Sequence, residues 1–298
     1  MPNVNTLANL TAEQKIFHQR TLLKRLLPML HAYKDAQKSI LPLNSGTTVS
    51  WRKFTSLAIP ATALTEGVTP EGKNLAVTSI TAEAQQYGDY VIISDKLAKA
   101  GIDKALTEGA LLCGEQACLL IDTVVMQAMA EGATAVTKTT ALTDEIVQEI
   151  VLKLKRKNAR RFADGYYHAI ISPAQAYSLM QLEGKGWISA AKYGSIKKLL
   201  DGEVGELHGV RFMESTNIVE SGEAGKKTAS CYIYGADSYG VVDLEGGAGK
   251  PEIITKDFGS AGVDDALNQR ASVGWKNMFT AKVLDKDAIY KVTTSVID

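Results

Sequence analysis

The sequence has few cysteines and no net charge, and each absence excludes a class of protein. Its three cysteines cannot all pair with one another and are too few to hold a small secreted scaffold together, so a reducing compartment fits best. Lysine plus arginine number 33, as do aspartate plus glutamate. The chain therefore lacks the basic excess of a protein that coats nucleic acid or an anionic membrane.

Long apolar runs are missing as well. No uninterrupted apolar run approaches the roughly 20 residues that span a bilayer. The first twenty residues lack the basic start and apolar stretch of a signal peptide, so we expect a soluble protein made in the cytoplasm. What is present is an ordinary globular composition, with 45% hydrophobic and 22% charged residues in 298, enough for one large domain or two smaller ones.

Recognisable catalytic motifs are also absent. The four histidines are scattered, without HExxH or GxSxG, and "GGAGKP" (246–251) lacks two residues that a phosphate-binding loop needs. Cys113 and Cys118 are five apart, which favours small buried side chains over zinc ligands. His168 lies in an apolar strand and is predicted to be a satisfied core histidine. Carboxylates are plentiful and none is singled out, so we predict no catalytic, cofactor or metal site.

Basic residues cluster in two places. Residues 1–45 contain a helix-like stretch, broken near Pro28, that predicts an amphipathic arm with a solvated face, with nucleic-acid contact as the alternative. The second cluster ends a predicted helix, where basic side chains complement the helix dipole or would meet phosphates. We favour the dipole. This second cluster comprises Lys153, Lys155, Arg156, Lys157, Arg160 and Arg161.

Two strand-like runs on either side of a turn predict a long hairpin over 46–95. They are "TTVSWRKF" (47–54) and "VTSITAEAQQYGDYVIIS" (77–94), both rich in β-branched and aromatic residues. The second run would extend about 60 Å at roughly 3.3 Å per residue, with a bulge or bend expected at Gly88. Between them, "LTEGVTPEGKNL" (64–75) is too polar for a core. Because an isolated hairpin is marginal in water, we expect another copy of the chain to support it.

A helix of unusual length is predicted over 103–132. It would measure roughly 42 Å, with acidic residues near its start and Gly132 at its end. Gly109 and Gly114 each cost such a helix roughly 1 kcal/mol, which close packing against another backbone would offset. The pattern indicates a structural spine.

The rest of the chain predicts an α+β arrangement. Residues 141–262 read as a helix capped by Thr143, the strand "YYHAIISP", a helix just after Pro173, and the strands "GVRFMES", "ASCYIYGADSYGVVDL" and "PEIITKDF". Residues 263–298 are mostly strand-like, with a helical option around 276–285.

In this order, the elements resemble the HK97-like capsid fold of tailed bacteriophages. More specifically, the sequence is similar to the N4 gp56 family of major capsid proteins. The stretches that carry the resemblance are "GTTVSWRKFTSL", "LTEGVTP", "QYGDYVIISD", "GEQACLLID", "AIISPAQAYSLM" and "DALNQRASVGWKNMFTAKVL". They run from about residue 45 to 290. Ala266 stands where the family often has proline.

The resemblance implies a division of the chain and a role. It implies an N-terminal arm (1–45), an E-loop hairpin over a neighbouring subunit (46–95), a peripheral domain with the spine helix (96–140), an axial domain (141–262) and a return to the peripheral domain (263–298). The implied function is self-assembly into hexamers and pentamers of an icosahedral shell around double-stranded DNA, in the virion, after synthesis in the host cytoplasm. Implied partners are further copies, a portal, decoration or scaffolding proteins and non-specifically bound DNA, with no membrane, cofactor or catalysis.

Two alternatives stay open: a capsid-fold nanocompartment shell, and an intracellular α/β enzyme with an unrecognised site.

For a shell protein, the hairpin supplies the expected inter-subunit contacts, since Trp and Arg are favoured anchors and charges at a tip give pairing specificity. The expected contact residues are Trp51, Arg52, Lys53, Glu66, Glu71 and Lys73.

Overall fold

The computed structural model describes most of the chain from residue 31 onward. The described residues are 31–42, 44–64, 66–69, 71–100, 105–182, 187–189, 202–218, 220–222, 227–244, 251–260 and 265–296. The amphipathic stretch predicted before residue 31, with its break near Pro28, lies outside them, as does the turn at 246–250.

The described residues form helices and strands in mixed order, as an α+β fold requires. The helices are α1 (His31–Lys34), α2 (Asp95–Ala100), α3 (Ala105–Gly132), α4 (Asp144–Arg156) and α5 (Pro173–Met180), with a 3-10 turn at Lys286–Ala288. The strands are β1 (Gln37–Leu41), β2 (Thr48–Phe54), β3 (Val77–Glu83), β4 (Gln85–Ser94), β5 (Thr134–Thr137), β6 (Tyr167–Ile171), β7 (Ile188–Ser189), β8 (Glu203–Leu207), β9 (Val210–Glu214), β10 (Thr228–Tyr234), β11 (Tyr239–Leu244), β12 (Glu252–Lys256), β13 (Arg270–Val283) and β14 (Ile289–Ser295).

A five-stranded sheet is organised around β13. The order β1-β11-β13-β12 runs along one path, and β4 pairs antiparallel with the other side of β13. Alternate residues of β13 are buried, including Ala271, Val273 and Trp275, because that face lies under α3. The helical option at 276–285 is therefore wrong: the period-2 burial of a 14-residue strand prevails over local helix propensity.

A seven-stranded sheet has the order β5-β14-β10-β6-β9-β8-β7. Helix α4 packs on it through one apolar face, on which Val147, Ile150 and Leu154 are fully buried. Thr143 occupies the N-cap position as predicted, although its side chain makes no capping hydrogen bond. Helix α5 begins at Pro173, where a capping box formed by Ser172 and Gln175 satisfies backbone N–H groups at its start.

The predicted spine is helix α3, and it links the two sheets. Ile121, Val125 and Met129 on one side are fully buried in a core cluster that includes residues of both sheets. At its end, a Cβ on Gly132 would lie 2.6 Å from the Val283 side chain, so glycine permits this close approach.

Among the described residues, helix α3 is the one helix that is long and apolar enough to cross a membrane. Leu106–Gly132 is long enough to cross a bilayer, and an 18-residue window within it has a mean hydropathy of 1.5. Polar and charged residues interrupt this helix, so the sequence shows no uninterrupted apolar run of that length. Because its apolar face packs on β13, we interpret α3 as the core helix of a soluble fold.

The expected long second strand of the hairpin is two strands. β3 pairs with β2 in a two-stranded ribbon, whereas β4 pairs with β13 in the five-stranded sheet. The break occurs at Ala84, which is buried against Leu41 and Val242, so the expectation of a break at Gly88 is wrong. Gly88 instead lies in mid-strand, where a Cβ would come within 2.6 Å of the Trp275 carbonyl oxygen.

Strand pairing does not follow sequence order in the second half of the chain. Within 141–262, β6 to β10 lie in the seven-stranded sheet, whereas β11 and β12 lie in the five-stranded sheet. Within 263–298, β13 joins the five-stranded sheet and β14 returns to the seven-stranded sheet between β5 and β10. The chain thus crosses between the sheets at the turn after β10 and again after β13.

Candidate inter-subunit surface on the hairpin

The ribbon formed by β2 and β3 ends in a tip that lies beyond the last strand pair. The strands pair from Thr48 opposite Glu83 to Phe54 opposite Val77, and residues 55–76 form what we call the hairpin tip. Its described residues are exposed. Several are large and apolar: Ile59 is 90% exposed and Leu64 77%. With Leu57 and Val68 they line a concavity of about 870 Å³.

From the sequence, only the charged residues of the tip were predicted to make contacts, and these apolar side chains were not. The signal was present in "SLAIPATAL" (56–64), an apolar run too short for a helix and without strand alternation. Contiguous exposed apolar surface marks an interaction site on a soluble protein. The tip is therefore the strongest candidate contact surface among the described residues.

Three of the expected contact residues lie at the tip. Glu66, Glu71 and Lys73 are all exposed. The Lys73 ammonium donates a 2.7 Å hydrogen bond to the carbonyl oxygen of Ala58, so it joins the two sides of the tip. Glu71 and Lys73 also border the apolar concavity. This places charged groups around an apolar centre, the arrangement typical of a protein interface.

The other three expected residues lie on β2, at the root of the ribbon. Trp51 is partly buried against its own chain, beside Gly240 and the small cluster of Leu41, Ala84 and Val242. Lys53 forms an ion pair with Asp285, and Arg52 is exposed. The structure thus separates the six residues into a root group and a tip group.

A cleft of about 370 Å³ lies at this root, between the ribbon and the body. Ion pairs line its far wall, from Lys157 to Asp287 (3.2 Å) and from Arg160 to Asp237 (2.9 Å). Half of the basic run at 153–161 is paired in this way, because Lys153 also contacts Glu149. Lys153, Lys155 and Arg156 lie in the last turn of α4, where the dipole interpretation expects basic side chains, and three of the six basic residues of the run have carboxylate partners within the chain.

A second exposed apolar surface lies on the face of the five-stranded sheet opposite α3. Directly paired residues on neighbouring strands share a face, so Ile254, Gly274 and Tyr90 form one row across β12, β13 and β4. Tyr90 is 64% exposed, and Ile92 on the same face is exposed as well. The ion pair between Lys276 and Glu252 (3.0 Å) borders this row. We call these residues the open sheet face.

The three cysteines and His168 are buried. Cys113, Cys118 and Cys231 are buried free thiols, and burial raises the pKa of Cys118 and of Cys231 to about 12. Both ring nitrogens of His168 contact carboxylates in the core, which confirms the prediction of a satisfied core histidine. Among the described residues, no group of three or more side chains could hold a metal ion.

Comparisons with known proteins place this geometry among viral shells. A family model described as "Phage capsid protein" matches residues 77–292, more than half of the chain. The capsid of Ralstonia phage GP4 is similar with a TM-score of 0.72 and 14% identity, over 88% of this chain and 87% of that one. The capsid of Helicobacter pylori bacteriophage KHP30 gives 0.66 and 10%, over 88% of both. No curated protein sequence matches the chain significantly.

A third similar structure is a virus-like particle from Pyrococcus furiosus, with a TM-score of 0.54 and 13% identity over 92% of this chain and 97% of that one. At such identities the solved structures establish the fold, and the family model establishes the family. This chain belongs to the phage capsid protein family, has the HK97-like capsid fold, and is a structural protein and not an enzyme.

Proposed function

We propose that the chain is the major capsid protein of a tailed bacteriophage and forms the hexamers and pentamers of an icosahedral shell around double-stranded DNA. Family membership and the capsid fold support this role. The six quoted sequence stretches support a finer placement in the N4 gp56 family. The observation that carries the proposal is the exposed apolar hairpin tip, which a solitary subunit would leave in water.

The hairpin tip acts as a strap on a neighbouring copy. A two-stranded ribbon is marginal by itself, and burial of Leu57, Ile59 and Leu64 would stabilise an interface by roughly 1.5–3 kcal/mol per side chain before the entropy of association is subtracted. The tip and a flat sheet face are two different surfaces of the subunit. A contact between them is therefore head-to-tail and can close around a symmetry axis. The open sheet face, with Tyr90 and Ile254, is the surface of the neighbour that it fits.

The six expected contact residues then have two roles. Glu71, which borders the apolar centre, and Glu66, which is exposed elsewhere on the tip, select the partner surface by charge. Arg52 contacts the neighbour from the exposed side of the ribbon. Trp51 and Lys53 fix the root of the ribbon to its own subunit, and Lys73 holds the tip together.

The domain division follows the two sheets. The five-stranded sheet with α3 forms the peripheral domain, and the arm (1–45) and the hairpin (46–95) contribute its strands β1 and β4. The seven-stranded sheet with α4 and α5 forms the axial domain. On this division, β11 and β12 join the peripheral domain and β5 and β14 the axial domain, which changes the limits of 96–140, 141–262 and 263–298 expected from the sequence.

Other partners follow from the role. A phage shell needs a portal, can carry decoration or scaffolding proteins, and meets DNA on its inner face without sequence preference. The zero net charge suits an inner face that must not hold the genome irreversibly. The protein is made in the host cytoplasm and resides in the virion.

The second candidate function is a shell that encloses something other than a phage genome. The similarity to the virus-like particle from Pyrococcus furiosus favours it. The contents of particles purified from the native source distinguish the two, since a phage capsid contains double-stranded DNA.

Assembly of hairpin variants tests the strap. Ile59→Asp places a charge in the apolar centre of the tip, and we expect folded subunits that no longer form particles in electron micrographs. Leu152→Asp, on the exposed side of α4, is the matched control and should still assemble. Charge reversal of Glu66 and Glu71 together should also impair assembly. Normal particles from both tip variants would exclude the tip as a contact surface.

A further inference from the structure

A buried ionic cluster surrounds His168, near the start of β6. Its side chain is 5% exposed, and its Nδ1 lies 2.6 Å from Oδ2 of Asp35 while its Nε2 lies 3.1 Å from Oδ2 of Asp164. An ionised carboxylate can only accept hydrogen bonds, so each ring nitrogen must donate one. This geometry requires the doubly protonated, positively charged imidazolium form.

Aromatic and charged side chains from other parts of the chain surround His168. The Phe162 ring stacks on the imidazole at 4.0 Å, and the Tyr234 hydroxyl of β10 donates a 3.0 Å hydrogen bond to Asp35. Arg211 of β9 lies 3.0 Å from Asp164, so that carboxylate has a second cation beside it. The ionisable groups of the cluster are Asp35, Asp164, Glu203, Glu206, Arg211, Tyr234 and Tyr239.

The electrostatics of the cluster agree with its geometry. Burial by itself lowers the pKa of His168, but Asp35 and then Asp164 raise it by more, so the net pKa lies above the ordinary 6.5. The charged form therefore contributes stability that is fully present below about pH 6.5. That contribution is lost as the pH rises through the raised pKa, because a neutral imidazole leaves one ring nitrogen facing a carboxylate without a proton.

Asp35 belongs to a segment, His31–Leu41, within the part of the arm that precedes the hairpin. The segment is tied to the body at other points: the Ala32 N–H donates to Asp122 (3.1 Å), and the Tyr33 hydroxyl donates to Asp243 (2.6 Å). Its last part is β1, where Ser39 accepts a hydrogen bond from Trp51 on the ribbon. The position of Asp35 therefore bears on the root of the hairpin.

We propose that His168 is a proton-controlled latch that strengthens the hold of the segment His31–Leu41 on the seven-stranded sheet while the imidazole carries both protons and weakens that hold as the pH rises. The latch itself is independent of the proposed shell function. Its consequence, a change in the freedom of the hairpin root, rests on that function.

Amide hydrogen exchange on the full chain at pH 5.5 and pH 9, corrected for the intrinsic rate, tests the latch. We expect residues 32–40 to lose protection by roughly tenfold for each unit by which folding raises the His168 pKa, while α3 stays protected. Burial raises the pKa of Tyr33 and of Tyr234, so both stay protonated over this range.

Two variants separate the latch from general alkaline loosening. His168→Asn keeps an N–H donor near Asp35 but has no titrating proton, so the protection of 32–40 should become equal at the two pH values. His208→Asn is the control, because His208 is a partly exposed histidine beside Asp144 with a φ of 52° that asparagine tolerates. This control should retain the pH-dependent loss. A loss that persists unchanged in His168→Asn would overturn the proposal.

A measurement on the wild-type chain covers the case in which His168→Asn does not fold. In a protein with nitrogen-15 labelled histidine, His168 is identified by its slowly exchanging ring protons. Both of its ring nitrogens should show imidazolium shifts at pH 5.5, and these shifts should change with a midpoint above pH 6.5. A neutral imidazole at pH 5.5, or a midpoint below pH 6.5, would contradict the latch whether or not the chain assembles.

Discussion

The indole Nε1 of Trp51 donates a 2.9 Å hydrogen bond to Ser39 Oγ, which ties the ribbon to the edge strand β1. The ring also lies close to Gly240, where an added Cβ would come within 3.2 Å of it. A tryptophan expected to anchor a neighbouring subunit is thus engaged with its own. The ribbon consequently leaves the body at a defined position, and the tip beyond it is free to contact another copy.

This relationship predicts a measurable coupling between Trp51 and Ser39. Trp51→Phe and Ser39→Ala should each lower the free energy of unfolding, and the double variant should lose less than their sum by about 1 kcal/mol, the net worth of one hydrogen bond. Urea unfolding of the four proteins measures it. Strict additivity would show that the bond does not contribute in solution.

Adding a side chain at Gly88, within β4, should cause a steric clash with β13. In Gly88→Ala the new Cβ would lie 2.6 Å from the Trp275 carbonyl oxygen, so the strands must separate, and we expect a loss of about 1–3 kcal/mol. Gly72→Ala is the matched control, since nothing lies within 4 Å of its Cβ position, and its effect should stay within about 0.5 kcal/mol. Equal stabilities of the two variants would contradict the described register.

Glu149, on α4, is expected to make a contribution to stability that is lost in acid. Hydrogen bonds from Lys138 and then Lys153 lower its pKa to about 2. Its stabilisation is therefore present above the ordinary value of 4.5 and is lost as the pH falls towards 2. Because these side chains are partly exposed, Glu149→Gln should cost only about 0.5–1 kcal/mol at pH 7, with the difference vanishing near pH 2. A difference that persists at pH 2 would assign the loss to packing.

The three buried thiols should react slowly with alkylating reagents. Burial raises the pKa of Cys113, Cys118 and Cys231, and the thiolate is the reactive form. Alkylation with iodoacetamide, followed by mass spectrometry, should label them only after denaturation. Rapid labelling of Cys118 in the native protein would show that α3 separates from the sheet.

Local patterns predicted much of the fold. The spine appeared in the sequence because 28 residues without proline carry an apolar face, and α4 because its buried positions recur at helical spacing. The strand at 167–171 was visible as a short apolar run before Pro173. Each of these elements is specified by residues close together in the chain.

What the sequence did not predict depends on contacts between distant residues. The break at Ala84 arises because Ala84 is buried against Val242 while β4 pairs with β13, about 180 positions later. The cluster of Asp35, His168 and Asp164 likewise unites residues more than 100 positions apart. At the site, the tip charges were identified but its apolar centre was not, because exposed apolar residues cannot be told from core residues until the surroundings are known.

The mass of the purified full chain in solution, measured by light scattering and followed by electron microscopy of the heavy fraction, shows whether the chain forms a shell. We expect rings, sheets or spherical particles that contain many copies and that are lost in Ile59→Asp. A monodisperse monomer or dimer, unchanged by protein concentration or salt, would contradict a shell-forming subunit.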